Sequence, residues 1–156
     1  VVEGLEELLE TLPLVAEELS RPPVTLAHGD LRLDNLFFHE ACGVRACDWQ
    51  LTGRSRGMRD LAYFVTQSMT PDDRAAAEAD LVAIYLDRLA SRAVAGYDAE
   101  TAWQDYRSGT ILGFAYAIVA LGGLDHDDAR SAALPRTMLS RSVLAMTHLR
   151  CVLPDR

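Results

Sequence analysis

The sequence predicts a mostly helical α+β fold, in which a small β element carries a polar loop on a helical body. Three observations point there. Apolar residues recur at spacings of three and four over residues 5–19, and again from residue 59 onward. Between these stretches lie three short β-prone runs, at residues 24–27, 36–38 and 44–49. The first two runs are joined by a loop that holds His28, Gly29, Asp30 and Asn35, and the third run closes on Asp48.

Taken in order, Leu5, Leu8, Leu9, Leu12, Val15 and Leu19 give an amphipathic helix with Glu-rich outer faces. Pro13 is expected to kink or divide it. Arg21-Pro22-Pro23 ends it. Residues 24–27 are a strand and 28–35 a loop. Residues 36–38 and 44–49 form a hairpin turned at Cys42-Gly43. Residues 51–58, with Gly53, Arg54, Ser55, Arg56 and Gly57, read as a flexible loop.

The remainder reads as helix. Residues 59–69 bury Leu61, Ala62, Phe64, Val65 and Met69. Thr70-Pro71-Asp72-Asp73 starts the next helix with a hydroxyl cap, a first-turn proline and acids at the positive end of the dipole. It runs to about Ala95, stopped by Gly96. Asp98 caps a helix over 99–121, ended by Gly122-Gly123. A short helix is expected over 125–133, and Pro135 opens or kinks a last one ending near residue 152. A lone hairpin is marginal in water, so the helices must support it.

At 156 residues the chain is one domain or one lobe of a larger one, and 49% apolar residues argue against disorder. The longest apolar run, 111–121, is too short to span a membrane. Glu3, Glu6 and Glu7 do not fit a signal peptide. A net charge of −8 disfavours nucleic acid as a partner. It suits a cationic or neutral small substrate, and equally a surface that only keeps the protein soluble. Cys42, Cys47 and Cys151 are odd in number and lack a CxxC pair, so they read as thiols of a reducing cytoplasm rather than a disulfide or zinc site.

The chemistry lies in residues 26–63. Phosphoryl transfer needs a carboxylate to orient the attacking hydroxyl and accept its proton, and hard oxygen ligands for magnesium. Asp30 suits the first task. Asn35, the only asparagine in the chain, and Asp48 suit the second, since a hairpin between them brings their side chains to one point. Each alone would read as a turn former. The full order, an apolar strand, His28-Gly29-Asp30, Asn35, a hairpin ending in Asp48-Trp49-Gln50, then Asp60-Leu61-Ala62, favours a kinase-type site.

This stretch resembles the aminoglycoside phosphotransferase family, which includes choline-kinase-like enzymes and shares its core with protein kinases. His28-Gly29-Asp30-Leu31 with Asn35 resembles the catalytic loop, and Asp48 the second magnesium-binding aspartate. Asp60, in Arg59-Asp60-Leu61-Ala62-Tyr63, resembles an internal aspartate that braces that loop. Arg32-Leu33-Asp34 stands where many members carry His-Pro-Gly, a variant that resembles the kinase-like domains of acyl-CoA-dehydrogenase-associated proteins. The resemblance implies the C-terminal lobe of a protein-kinase-like fold, with Mg2+, ATP as cosubstrate and a small-molecule hydroxyl as acceptor.

Several roles follow as expectations. The His28 ring bonds within the loop or to Asp60, holding Asp30 in place; the alternative is a general base in its own right. Asp34 is a turn former or a neighbour of the metal. Arg32 neutralises phosphate or forms an ion pair. Arg54 and Arg56 bind an anionic group on the acceptor or are solvated. Trp49 packs under the hairpin, and Trp103, Tyr106, Phe114 and Tyr116 pack in the core or face the acceptor. Asp125, His126, Asp127 and Asp128 read as a polar helix start rather than a metal cluster.

A kinase also needs a cover for the ATP phosphates and a lysine to pair with them. No Gly-rich strand-turn-strand precedes His28, and all fifteen basic residues are arginine. The phosphate-covering N-terminal lobe is therefore expected to lie outside these residues. The alternative is a catalytically incomplete kinase-like module that binds a ligand or a partner.

Overall fold

The computed structural model describes residues 2–123 and 129–151. The described residues form two small antiparallel sheets and five α-helices: α1 (Val2–Leu19), α2 (Met58–Ser68), α3 (Pro71–Ala90), α4 (Ala99–Gly123) and α5 (Ala129–His148). β1 (Thr25–Ala27) pairs with β4 (Gly53–Ser55), and β2 (Leu36–His39) pairs with β3 (Gly43–Ala46).

α4 is the hub. It packs against α1, α2, α3 and α5, so its apolar residues face several directions and it lacks a single hydrophobic stripe. Small residues set its approach to α2. A Cβ added to Gly109 would come within 2.9 Å of the Ala62 Cβ, and one at Gly113 within 3.2 Å of the Tyr63 ring. Met58, Ala62, Val65, Val82, Ala102 and Tyr106 join α2, α3 and α4 in one cluster. Leu8, Val15, Leu19 and Ile111 form a second between α1 and α4.

The helix starts follow their capping residues. The Asp73 N–H donates to the Thr70 hydroxyl oxygen (3.2 Å), and the Thr101 N–H to Asp98 Oδ1 (2.8 Å). The latter bond holds the Asp98 carboxyl below its ordinary range.

The structure corrects the sequence reading in several places. α1 runs unbroken through Pro13. Residues 49–51, where the third strand is expected to end, form a 3-10 turn, and the stretch 51–58, read as a flexible loop, holds β4, whose Thr25↔Ser55 and Ala27↔Gly53 register fixes it to β1. Gly-Arg-Ser has low β propensity; β1 and the Ser55 hydroxyl donating to Leu19 O (3.1 Å) impose the strand. β3 ends at Ala46, so Asp48 lies beyond the strand rather than at its end.

α3 stops at Ala90. Ala93, not Gly96, takes the first left-handed turn (φ 57°), and the Val94 N–H reaches back to Leu89 O. α5 is continuous across Pro135, so no break divides residues 129–133 from the last helix. Asp125, His126, Asp127 and Asp128 lie outside the described residues.

Arg56, expected near an acceptor, is instead a tie between elements. Its guanidinium donates to Asp105 Oδ1 (2.7 Å) and to Arg21 O (3.2 Å), while the Tyr97 hydroxyl donates to Asp105 Oδ2 (2.6 Å). Burial first, and then Asp105, push the Tyr97 phenol well above its usual pKa. This knot fastens β4 and the α1–β1 link to α4, with Asp105 only 1% exposed.

Asp105→Ala leaves the mostly buried Arg56 guanidinium (13% exposed) without its acid, so urea denaturation should show a loss of about 3 kcal/mol. Arg21→Ala, which breaks the exposed pair with Glu17, should change stability by less than about 1 kcal/mol in the same assay.

Candidate active site

β1 delivers the chain into the loop at His28, and α2 receives it. Asp60, in the first turn of α2, accepts the backbone N–H of His28 at Oδ2 (2.6 Å) and that of Gly29 at Oδ1 (3.0 Å). Two loop amides are thus bound by one carboxylate. Near the end of α2 the Ser68 hydroxyl accepts the Leu33 N–H (3.1 Å), so one helix grips the loop at two points.

Gly29 has φ +85°, a conformation that side chains disfavour, and an added Cβ would lie 2.2 Å from the Leu51 carbonyl oxygen. Only glycine fits there.

The His28 ring bonds within the loop. Nε2 donates to Cys47 O (2.8 Å), because a carbonyl only accepts, and Nδ1 then accepts the Asp30 N–H (3.3 Å). His28 thereby joins the residue before Asp48 to the backbone of Asp30. Its Asp60 contact is through the main chain rather than the ring. Trp49 is 48% exposed rather than packed under the hairpin, with its ring centroid 4.6 Å from that of His28.

Asn35 is buried. Its amide N–H2 donates to Asp30 O (2.8 Å) and to Asp30 Oδ2 (3.0 Å). Both partners are acceptors, which fixes the amide orientation, and Oδ1 has no hydrogen bond among the described residues. The Cys47 N–H donates to Asn35 O (2.9 Å), so the hairpin ladder sets Asn35 against Cys47 and brings Asp48 next to it.

Asp48 sits in the left-handed region (φ 62°, ψ 61°), which aspartate tolerates better than most residues. Among the described residues no hydrogen bond or ion pair engages its carboxylate, and it does not cap the turn that follows.

Asp30 is held from several sides. Arg32 Nε lies 3.5 Å from Asp30 Oδ1, and Arg32 also pairs with Asp34 (3.5 Å). Asn35 holds the other Asp30 oxygen. Tyr63, one turn beyond Asp60 on α2, brings its phenol to the Asp30 carboxylate; burial first and Asp30 second keep that phenol protonated well above its usual range. Sequence reasoning gave Tyr63 no role. Its position three residues after Asp60, on the same helical face, was the available signal.

Arg54 lies on β4 opposite Leu26 and is exposed. Arg56 belongs to the Asp105 knot described above. Tyr106 is fully buried, Trp103 and Phe114 pack against the core clusters, and Tyr116 accepts a hydrogen bond from Arg59.

The donors suit a hard divalent cation. Asn35 Oδ1 and the Asp48 carboxylate are hard oxygen donors that have no hydrogen-bond or ion-pair partner among the described residues. Among the described residues no group of three or more His, Cys, Asp and Glu side chains is arranged to hold a metal. Magnesium fits such a site, because it is held by one or two protein oxygens and takes its remaining ligands from water and phosphate.

The profile of the ecdysteroid kinase-like family matches residues 2–95, more than half of the chain and every site residue named above. A mouse (Mus musculus) protein, acyl-CoA dehydrogenase family member 10, is 39% identical over 64 residues, which covers 40% of this chain and 6% of that protein. No solved structure matches at a significant level.

Asp60→Ala should release the His28 and Gly29 amides. Hydrogen exchange should become fast at those two positions while the α4 amides stay protected.

Proposed function

Because the chain belongs to the ecdysteroid kinase-like family, a family of kinase-like phosphotransferases, we propose that it supplies the catalytic loop for transfer of the γ-phosphoryl group of ATP to a hydroxyl of a small molecule. The arrangement around Asp30 carries this reading. Its carboxylate is held by the Asn35 amide and faces the Tyr63 phenol, while among the described residues the Asn35 carbonyl oxygen and Asp48 carboxylate have no partner.

In this reading an Asp30 carboxylate oxygen accepts a hydrogen bond from the acceptor hydroxyl and takes its proton as the oxygen attacks phosphorus. Asn35 and Tyr63 keep that carboxylate aimed. Asn35 Oδ1 and Asp48 would hold Mg2+, which when bound neutralises phosphate charge. Arg32, beside Asp30, is suited to the equatorial oxygens of the transferring group. Arg54, exposed on β4, would receive an anionic group on the acceptor. Phe37, two residues from Asn35 on the hairpin and 64% exposed, offers a flat apolar surface for the nucleotide base.

Several properties belong to the same proposal: a lobe outside these residues that covers the phosphates, a cytoplasmic setting, and no nucleic acid or membrane partner. Among the described residues no helix is long and apolar enough to cross a membrane.

The protein should transfer phosphate from ATP to one or more hydroxylated metabolites in the presence of magnesium. Asp30→Ala should lower that rate by about 10²–10⁴-fold. Asp48→Ala should raise the magnesium concentration needed for half-maximal rate. An Asp30→Ala protein as active as the parent would refute the assignment.

A further inference from the structure

Behind the catalytic loop, on the side of α2 and α3, lies a cavity of about 490 Å³ that the chemistry above does not use. Its apolar wall is formed by Leu26, Leu31, Leu61, Phe64, Tyr85 and Leu89. A second cavity of about 210 Å³ shares Thr25, Gly57, Tyr85 and Leu89 with it and continues the apolar surface to Val94 and Tyr97. The larger volume falls in the range of small-ligand sites. Leu26 is 65% exposed and Val94 is 42% exposed, so considerable apolar surface here faces water.

Two cations edge the larger cavity. Arg88, in the last turn of α3, and Arg92, just beyond the helix, stand four residues apart, both exposed. Among the described residues the Arg92 guanidinium bonds only the Arg88 carbonyl (3.3 Å), and neither arginine is in an ion pair. In a chain of net charge −8 this is a place where positive charge lacks an acidic partner.

Tyr85 adds a donor. Its hydroxyl lies against Gly57, where an added Cβ would be 2.4 Å away, and has no hydrogen-bond partner among the described residues. Burial first, then the charges of Asp105 and Asp60, raise its pKa and keep it protonated. Asp60 also lines the cavity, and its two oxygens already accept the His28 and Gly29 amides.

We propose that this cavity binds an amphiphilic monocarboxylate, with its aliphatic body against Leu31, Leu61, Phe64 and Leu89 and its carboxylate at Arg88 and Arg92. The chemistry selects this class. The wall provides little to a polar body, and two guanidiniums without acids recognise one anionic head. The site is separate from Asp30, which does not line it, and it borders the carboxylate that holds the loop. Occupancy is therefore felt at the His28 and Gly29 amides.

Octanoate, titrated below its micelle concentration into the full chain, tests this by calorimetry and amide NMR. Saturable binding is expected, with shifts at Gly29 and Leu61. Arg88→Gln/Arg92→Gln should weaken it by about tenfold or more. Octanol should bind more weakly than octanoate, and octylammonium should not saturate. Octanoate binding no tighter than octanol, unchanged by the double substitution, or present only as unsaturable partitioning would overturn the proposal. None of these measurements depends on phosphate transfer.

Discussion

The contact between Asp60 and the backbone of His28 and Gly29 is the one on which the site depends. A loop outside helix and sheet cannot satisfy its own amides by secondary structure. Buried amides without partners cost as much as lost hydrogen bonds. One carboxylate from α2 accepts two of them, and a charged acceptor makes both bonds stronger than neutral ones. Gly29 provides the backbone turn that aims both amides at the same side chain.

α2 can serve this role because it is immobilised on its other faces. Ala62 and Val65 are packed against α3 and α4, and the close approach of α4 is possible because Gly109 and Gly113 have no side chains. The end of α2 is tied to α5, where Arg141 donates to the Gln67 carbonyl and the Gln67 amide donates to Ser142. Asp60, Tyr63 and Ser68 therefore stand on a rigid rod, and each touches the loop. The Arg56–Asp105–Tyr97 knot does the corresponding work for β4, a strand too short to hold itself.

The polar groups at the site are unequally used, and the inequality has chemical content. Asn35 donates both its amide bonds toward Asp30, so its carbonyl oxygen faces away from them. Asp48 is held by the backbone of a left-handed turn rather than by its carboxylate. Among the described residues, Asn35 Oδ1 and the Asp48 carboxylate, on the two sides of the hairpin, are the oxygens the fold leaves unsatisfied here. What it does engage is loop backbone, at the amides of His28, Gly29, Asp30, Leu33 and Asn35.

The sequence by itself determined the helical body, the hairpin, the Thr70 and Asp98 caps and the order of polar residues from His28 to Asp60. Those are local signals: apolar spacing, β-prone runs, turn and cap residues, and the distances along the chain that phosphoryl-transfer chemistry requires. It did not reveal β4, because Gly-Arg-Ser becomes a strand only when β1 offers a partner edge. It left Arg56 between an anionic group on the acceptor and solvent, because the Asp105 that engages it lies 49 residues away. It passed over Tyr63, and it let the His28 ring choose between two partners. Only packing decided those points, since a side chain's bond is set by which groups the tertiary structure brings within about 3 Å. The hydrophobic pattern that drives the packing records which face is buried, not which atom waits there.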